Sequence, residues 1–441
     1  MHSADITALL VHEDGVLPKE RYTTREFLDL EMDRLWSRVW QVACREEEIS
    51  ERGDYVEYTI GDQSVLVVRD GTGGIGSGGI RAYFNTCLHR GTRLAEGCGR
   101  LPEERIRCPY HAWTYGLDGR LTEVPDRDEF PTLPADLGLA TVRAEVWGGF
   151  VFVSLDPHAP PLLEFLDPLP SLLQAYRFED LRFRAYLTTV IPANWKAVVD
   201  AFNEGYHVQG LHPQILPYTD DVALEYEQFD THAHYGRLAN ARRQLRPSPR
   251  LGLAPGQYDE GEILASMVGA LGGAFLKEER ALVEEVRAMD VPDGATLLEL
   301  YQERRYELLR SRGIDLSGIE PDQLTSADDV LWFPNMVGPV YPGSAILFRV
   351  RPNGMDPDSA IKDTWVLEWP RPGTEWTMPT RRFFPDWRER EWGLITTQDY
   401  VNLGEVQAGM KSRGCRGLRL NPRQEGNVLH MHRVIDRYLT S

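Results

Sequence analysis

Two kinds of apolar spacing alternate along the chain, and the places where one gives way to the other divide it. Phe27, Leu28, Leu30, Leu35 and Trp36 recur at helical intervals behind Thr23-Thr24-Arg25-Glu26, which has the form of a capping box. This predicts an amphipathic helix within an N-terminal extension over residues 1–39. From Trp40 the pattern shortens to β-type runs at Tyr55–Ile60, Ser64–Val68 and Arg81–Asn85. The glycine-rich stretch Gly71–Gly79 reads as a hairpin tip, and Val146–Leu155 reads as one buried strand closing the region. Asp156 to Pro161 has linker composition, so an all-β domain is expected over 40–157.

Residues 158–441 mix both periods. Arg184–Ile191, Ala345–Arg351 and Asp363–Trp369 predict an antiparallel sheet. A helix is expected to carry Glu204 and His207. Helical patterns at Glu262–Leu276, Lys277–Ala288 and Ala295–Arg312 form an insertion over about 240–330. A long helix should run from about Trp387 to Met410 and another from Gln424 to Leu439. The fold class is α+β: an all-β domain, then a domain with an antiparallel sheet covered by helices.

Composition narrows the function. The 441 residues are 42% hydrophobic and 26% charged, as in ordinary globular domains, and the net charge of −19 excludes a nucleic-acid binder, which needs a basic face. Five cysteines are too few and too scattered for a disulfide framework. No secretory signal opens the chain, and the longest apolar run, Ile263 to Leu276, is too short to span a membrane. A cytoplasmic protein without membrane or nucleic-acid partners is expected.

The chemistry concentrates first in Asn85 to Tyr115. Cys87 and His89 sit on one short stretch, Cys108 and His111 on another. Two such loops facing each other supply two sulfur and two nitrogen ligands, which suits a [2Fe–2S] cluster with both cysteines on one iron and both histidines on the other. Zinc also accepts two cysteines and two histidines, but its modules usually pair like ligands, whereas here each loop is mixed.

A second constellation lies in Asn194 to Gln214. His207 and His212 are five residues apart, about 140° on an ideal helix, so they converge only if the helix breaks between them. Gly210 and Pro213 favour such a break. Two histidines and a carboxylate form the facial ligand set of non-haem iron oxygenases. Asp399 is the candidate carboxylate: Trp392, Ile395, Leu403, Val406 and Met410 share its helical stripe, and a buried aspartate there needs an arginine or a metal as partner. Glu405 points elsewhere and reads as solvated. Asp200, one turn before Glu204, is placed to tune or hydrogen-bond the site. His232, His234, His430 and His432 read as packing or surface residues. Met267, Val268, Leu271 and Phe275 in the insertion suit either a lid over an apolar substrate or ordinary core.

Taken in order, Cys87-Leu88-His89-Arg90-Gly91, Cys108-Pro109-Tyr110-His111-Ala112-Trp113, Asn194-Trp195-Lys196, Glu204-Gly205-Tyr206-His207, His212 and Gln398-Asp399 resemble the catalytic α subunit of Rieske non-haem iron oxygenases. Thr92 and Tyr110 stand where the respiratory Rieske class has a second cysteine pair. The resemblance implies a Rieske domain followed by a helix-grip (START-like) catalytic domain. It implies a [2Fe–2S] cluster on Cys87, His89, Cys108 and His111, and a mononuclear Fe(II) on His207, His212 and Asp399. It further implies O2-dependent hydroxylation of an aromatic or other apolar organic substrate, with electrons from NAD(P)H through a separate reductase, with or without a ferredoxin. A head-to-tail homotrimer, with or without a small β subunit, follows from the same resemblance, with Glu204 as the carboxylate bridging to a neighbouring subunit's cluster ligand. Glutamate at that position is more like the branch that oxidises quaternary ammonium compounds such as choline, carnitine or betaine, which needs an aromatic box for the cation. A cluster-only electron carrier is the reading of another class.

Overall fold

In a computed structural model the described residues are 6–71, 79–238, 247–253, 257–270, 276–293, 295–319 and 327–441. They form two compact units, one of Leu30–Asp167 and one of the N-terminal residues through Asp29 with Pro168–Ser441. The expected amphipathic helix begins at Arg25 and is α-helical to Glu31, with Thr24 Oγ1 accepting from Phe27 N at 3.3 Å as the cap. Residues before Leu30 thus belong to the larger unit rather than forming an extension of their own.

The smaller unit is built on strands β1 (Gln41–Arg45), β2 (Asp54–Ile60), β3 (Gln63–Arg69), β4 (Ile80–Phe84), β5 (Cys98–Arg100), β6 (Arg105–Arg107), β7 (Thr114–Gly116), β8 (Leu121–Glu123), β9 (Thr141–Trp147) and β10 (Phe150–Ser154). Seven make a sheet in the order β1-β10-β9-β4-β3-β2-β5, and β6-β7-β8 form a small second sheet. The run Val146–Leu155, expected as one strand, is instead the end of β9, a tight turn and the whole of β10. Gly148 and Gly149 both take positive φ (56° and 76°), the two-residue geometry that folds Phe150 back onto Trp147. β3 and β4 pair antiparallel from Arg69 and Ile80, while residues 72–78 of the expected hairpin tip lie outside the described residues. Leu66, Val68, Tyr83, Ile106, Trp113 and Tyr115 make the core between the two sheets. The Tyr83 hydroxyl donates to Leu117 O at 2.9 Å across it.

The larger unit carries an eight-stranded sheet from β11 (Arg182–Ile191), β12 (Leu224–Gln228), β13 (Ala233–Leu238), β14 (Asp328–Trp332), β15 (Met336–Tyr341), β16 (Ser344–Asn353), β17 (Asp356–Glu368) and β18 (Arg382–Phe384). Its order is β12-β13-β14-β15-β16-β17-β11-β18, antiparallel except for the β11–β18 edge. The helix Trp195–Ala201 packs on β16 and β17 and against the helix Leu394–Met410. The latter starts later than Trp387, because Gly393 (φ 85°) interrupts the chain and Trp387–Glu389 is a separate 3-10 turn. Its buried stripe is Asp399, Tyr400, Leu403, Gln407 and Met410; Val406 is exposed and Gln407 takes its inward place. In the insertion, helices Glu260–Ala270, Lys277–Arg287 and Leu297–Ser311 share a core of Leu264, Val283, Val286 and Tyr301 that also buries Met267 and Val268. Leu271 and Phe275 lie outside the described residues.

Candidate metal centres

The two loops of the smaller unit share one backbone frame. Cys87 N donates to Thr92 O at 2.8 Å and Gly91 N to Cys87 O at 2.9 Å; Cys108 N donates to Trp113 O at 2.8 Å and Ala112 N to Cys108 O at 3.1 Å. In each, the residue four after the cysteine has positive φ, Gly91 at 76° and Ala112 at 57°. Glycine takes that conformation without penalty, while alanine pays about 1–2 kcal/mol for it. Asn85 anchors the first loop, accepting at Oδ1 from Leu94 N and Ala95 N and donating to Ser64 Oγ and Ala95 O.

The frame brings Cys87 to Cys108 and His89 to His111. The thiols are buried, and desolvation pushes the Cys87 thiol up, against the Tyr115 hydroxyl and the His89 backbone and with the nearby Cys108 adding to the rise. The rings of His89 and His111 meet edge to face at 4.6 Å, and His89 stacks on Trp113 at 5.0 Å. The Nδ1 atoms of His89 and His111 are both buried and have no hydrogen-bond partner in the chain. Two orphaned imidazole nitrogens beside two thiols are the donor set a mixed-ligand cluster uses. Tyr115 had no signal in the sequence beyond its place next to the motif, yet its hydroxyl lies 3.4 Å from Cys87 Sγ and accepts from Leu88 N at 3.1 Å.

In the larger unit the expected helix through Glu204 and His207 ends at Ala201. Glu204 lies in an irregular link, where Oε2 accepts from Tyr206 N and His207 N, capping the short helix Val208–Leu211. That helix stops at His212 (φ −123°, ψ 53°), because Pro213 cannot continue the hydrogen-bond ladder. The break turns both histidines inward, with ring centroids 5.2 Å apart. One donor atom each from His207, His212 and Asp399 lies within 4.8 Å of the others.

The hydrogen bonds around these three fix their protons. Gln398 Oε1 accepts from Gln214 Nε2 at 2.6 Å and lies 2.9 Å from His212 Nδ1, so that nitrogen carries the hydrogen. His212 Nε2 then faces Asp399 Oδ1 at 2.8 Å, lone pair to lone pair, and a cation must lie between them, either a proton or a metal ion. Asp399 is 4% exposed, and its close partner is this histidine rather than an arginine. His207 Nδ1 is held at 2.6 Å by Glu204 Oε1, leaving Nε2 for a metal. The residues fit a metal ion with open positions.

Asp200 stands apart from these three. Its Oδ2 accepts from the Tyr22 hydroxyl at 2.8 Å, and the same hydroxyl lies 2.7 Å from His432 Nε2, while Arg21 Nε donates to His432 Nδ1 at 3.1 Å. An arginine can only donate, so neutral His432 carries its hydrogen at Nε2 and the chain of donors runs from His432 through Tyr22 to Asp200. Burial raises the Asp200 carboxyl to about 7, against the opposing Tyr22 hydroxyl and the charges of Lys196 and Arg21. His432 is therefore a fully buried part of a network, with Asp436 and Asp200 as acidic neighbours. His234 is buried between Glu227 and Asp328, and His232 Nδ1 accepts from Phe333 N.

Comparison with known proteins adds to this geometry. Residues 39–134 match the Rieske [2Fe–2S] domain, and residues 178–266 and 277–441 match the ring-hydroxylating alpha subunit (catalytic domain). The chain belongs to the ring-hydroxylating alpha subunit family. It is the oxygenase subunit of a Rieske oxygenase, an oxidoreductase whose family carries a Rieske [2Fe–2S] cluster and a mononuclear iron. Among similar proteins, the glycine betaine monooxygenase oxygenase subunit of Chromohalobacter salexigens is 29% identical over 413 residues, 92% of this chain and 83% of that protein. The carnitine monooxygenase oxygenase subunit of Escherichia coli is 33% identical over 216 residues, 48% of this chain and 55% of its own. Two solved structures share the fold: naphthalene 1,2-dioxygenase from Rhodococcus sp. (TM-score 0.63, 21% identity, covering 97% of this chain and 95% of that one) and the quaternary ammonium Rieske monooxygenase CntA (TM-score 0.65, 19% identity, 98% of both). Rieske oxygenases receive electrons from reductase or ferredoxin partners and form oligomers. Among the described residues of this one, no helix is long and apolar enough to cross a membrane.

Proposed function

We propose that this Rieske oxygenase is the terminal component of a cytoplasmic multicomponent system that hydroxylates an apolar organic substrate with O2. In this reading Cys87, His89, Cys108 and His111 hold the cluster, and His207, His212 and Asp399 hold the mononuclear iron. The observation that carries it is the 2.8 Å approach of His212 Nε2 to Asp399 Oδ1 with the His212 proton already committed to Gln398. Bound there, the cluster supplies one-electron transfer and the iron supplies O2 activation. Residues 40–157 are then the electron-entry domain and 158–441 the catalytic domain.

The chain's own groups do the positioning. Glu204 orients His207 through Nδ1, and Gln214 with Gln398 orients His212. Burial of His212 and Asp399 keeps water from competing for the ligand atoms. Asp200 Oδ1 is buried without a partner and can hold a proton near neutral pH, four residues before Glu204. Electrons arise from NAD(P)H through a separate reductase, with or without a ferredoxin. A head-to-tail trimer, with or without a small β subunit, would let Glu204 bridge to a neighbour's cluster histidine.

A quaternary ammonium substrate is the second reading. It is favoured by relatives named for glycine betaine and carnitine and by glutamate rather than aspartate at Glu204.

Iron and acid-labile sulfide in the purified protein test the oxygenase reading. About three irons for every two sulfides supports it; two irons for two sulfides fits an electron carrier with the cluster alone, and zinc without sulfide fits neither.

A further inference from the structure

β17 carries a lysine at an inward position of the catalytic sheet. Lys362 is cross-strand from Thr189 on β11 and Val350 on β16, and it is 0% exposed. Its ammonium lies 3.6 Å from the centroid of Phe348, 5.0 Å from Phe202 and 5.2 Å from Tyr400. Three aromatic rings around one cation, Phe348 closest and Tyr400 turning its hydroxyl end to it, resemble the boxes that recognise quaternary ammonium ligands. Its polar partners are two neutral hydroxyls, Thr364 Oγ1 at 3.0 Å and Tyr400 Oη at 3.2 Å. Asp363, the next residue, faces the other side of the sheet and is taken by Arg349 and Arg351.

This box adjoins the candidate iron site through two of its walls. Tyr400 follows Asp399 on the helix Leu394–Met410, and Phe202 lies two residues before Glu204. Burial pulls the Lys362 ammonium down to about 7, with Asp399 and Asp363 opposing that loss. Charged or neutral, the side chain occupies the space, and when charged it repels a second cation.

We propose that Lys362 determines substrate charge: the chain's own side chain fills the three-ring box beside Asp399 and closes it to a quaternary ammonium group. The substrate of this oxygenase therefore seats no trimethylammonium group among Phe202, Phe348 and Tyr400. Its bearing on turnover rests on Asp399 as an iron ligand, whereas the binding of a cation to the box does not.

Calorimetric titration of the purified holoprotein with choline and with its neutral isostere 3,3-dimethylbutan-1-ol reads the box directly, without turnover. The wild type is expected to bind choline no more tightly than the isostere. Lys362→Ala, which empties the box, should prefer choline by about tenfold. Lys362→Met, which refills it without charge, should show no preference. A tenfold preference for choline in the wild type would overturn the proposal, as would the absence of any preference in Lys362→Ala. Should Lys362→Ala lose the visible spectrum of the cluster, Lys362→Thr, better suited to a strand, carries the same expectation. Failure of the iron-to-sulfide ratio would count against the oxygenase reading and leave this binding result standing.

Discussion

The cluster loops and the iron site gather their donors in opposite ways. The four proposed cluster donors lie within 25 residues, on two loops that repeat one hydrogen-bond frame and one positive-φ position, Gly91 in the first and Ala112 in the second. Each loop is locally determined, so the sheets need only bring two finished halves together. The proposed iron-site donors come from two segments nearly two hundred residues apart, His207 and His212 on one and Asp399 on the other. Neither segment is finished by itself: the histidines converge because a helix breaks at His212, and Asp399 meets them because the helix Leu394–Met410 crosses the helix Trp195–Ala201. A locally framed site tolerates distant change, whereas an assembled site depends on the side chains that orient its ligands. In the second region those are Glu204, Gln398 and Gln214.

The contrast is broken or sharpened by substitutions on the iron side that leave every ligand in place. Glu204→Gln keeps a hydrogen-bonding group of the same length but removes the charge that orients His207. Both metals should remain bound, while single-turnover electron transfer slows by about 10- to 100-fold. Unchanged single-turnover rates would remove Glu204 from the path between the sites and make the assembled site as self-sufficient as the loops.

A smaller effect is expected at Asp200. Its carboxyl is raised from 3.8 to about 7 by burial, so the folded protein holds this proton more tightly than the unfolded chain does. The stability it contributes is complete below about pH 4 and is lost as pH rises through about 7. The groups facing it are Tyr22, Lys196, Arg21 and His432. Asp200→Asn should flatten the fall of melting temperature between about pH 4 and about pH 7. An unaltered pH slope would mean that the carboxyl is already ionised in the folded protein.

The same contrast explains what could be read from the residues alone. The loop frame around the four proposed cluster donors was legible because it is written into Cys-x-His-x-Gly and Cys-x-x-His-Ala, where spacing and geometry coincide. The iron ligands were legible as candidates, since Gly210 and Pro213 mark the break and an aspartate on an apolar stripe is costly. Their setting was less so: the helix ends at Ala201 and the link at Glu204 are decided by packing against β16 and β17, which periodicity does not register. The hairpin at Gly148–Gly149 was hidden because apolar residues on both sides of the glycines mimic a continuous strand. Lys362 was missed because the expected strand began at Asp363, whereas β17 begins at Asp356 and carries the lysine inward. His432 was read as a packing or surface residue because Asp200, its partner in the network, is distant in sequence.

The most direct test sets His207→Ala beside Cys108→Ser, with iron, sulfide, visible spectrum and turnover measured on both. Two separable centres predict that His207→Ala keeps the cluster spectrum and its sulfide while losing the third iron and turnover, and that Cys108→Ser loses the cluster spectrum and sulfide. Retention of substrate turnover and full iron content in His207→Ala would contradict the account.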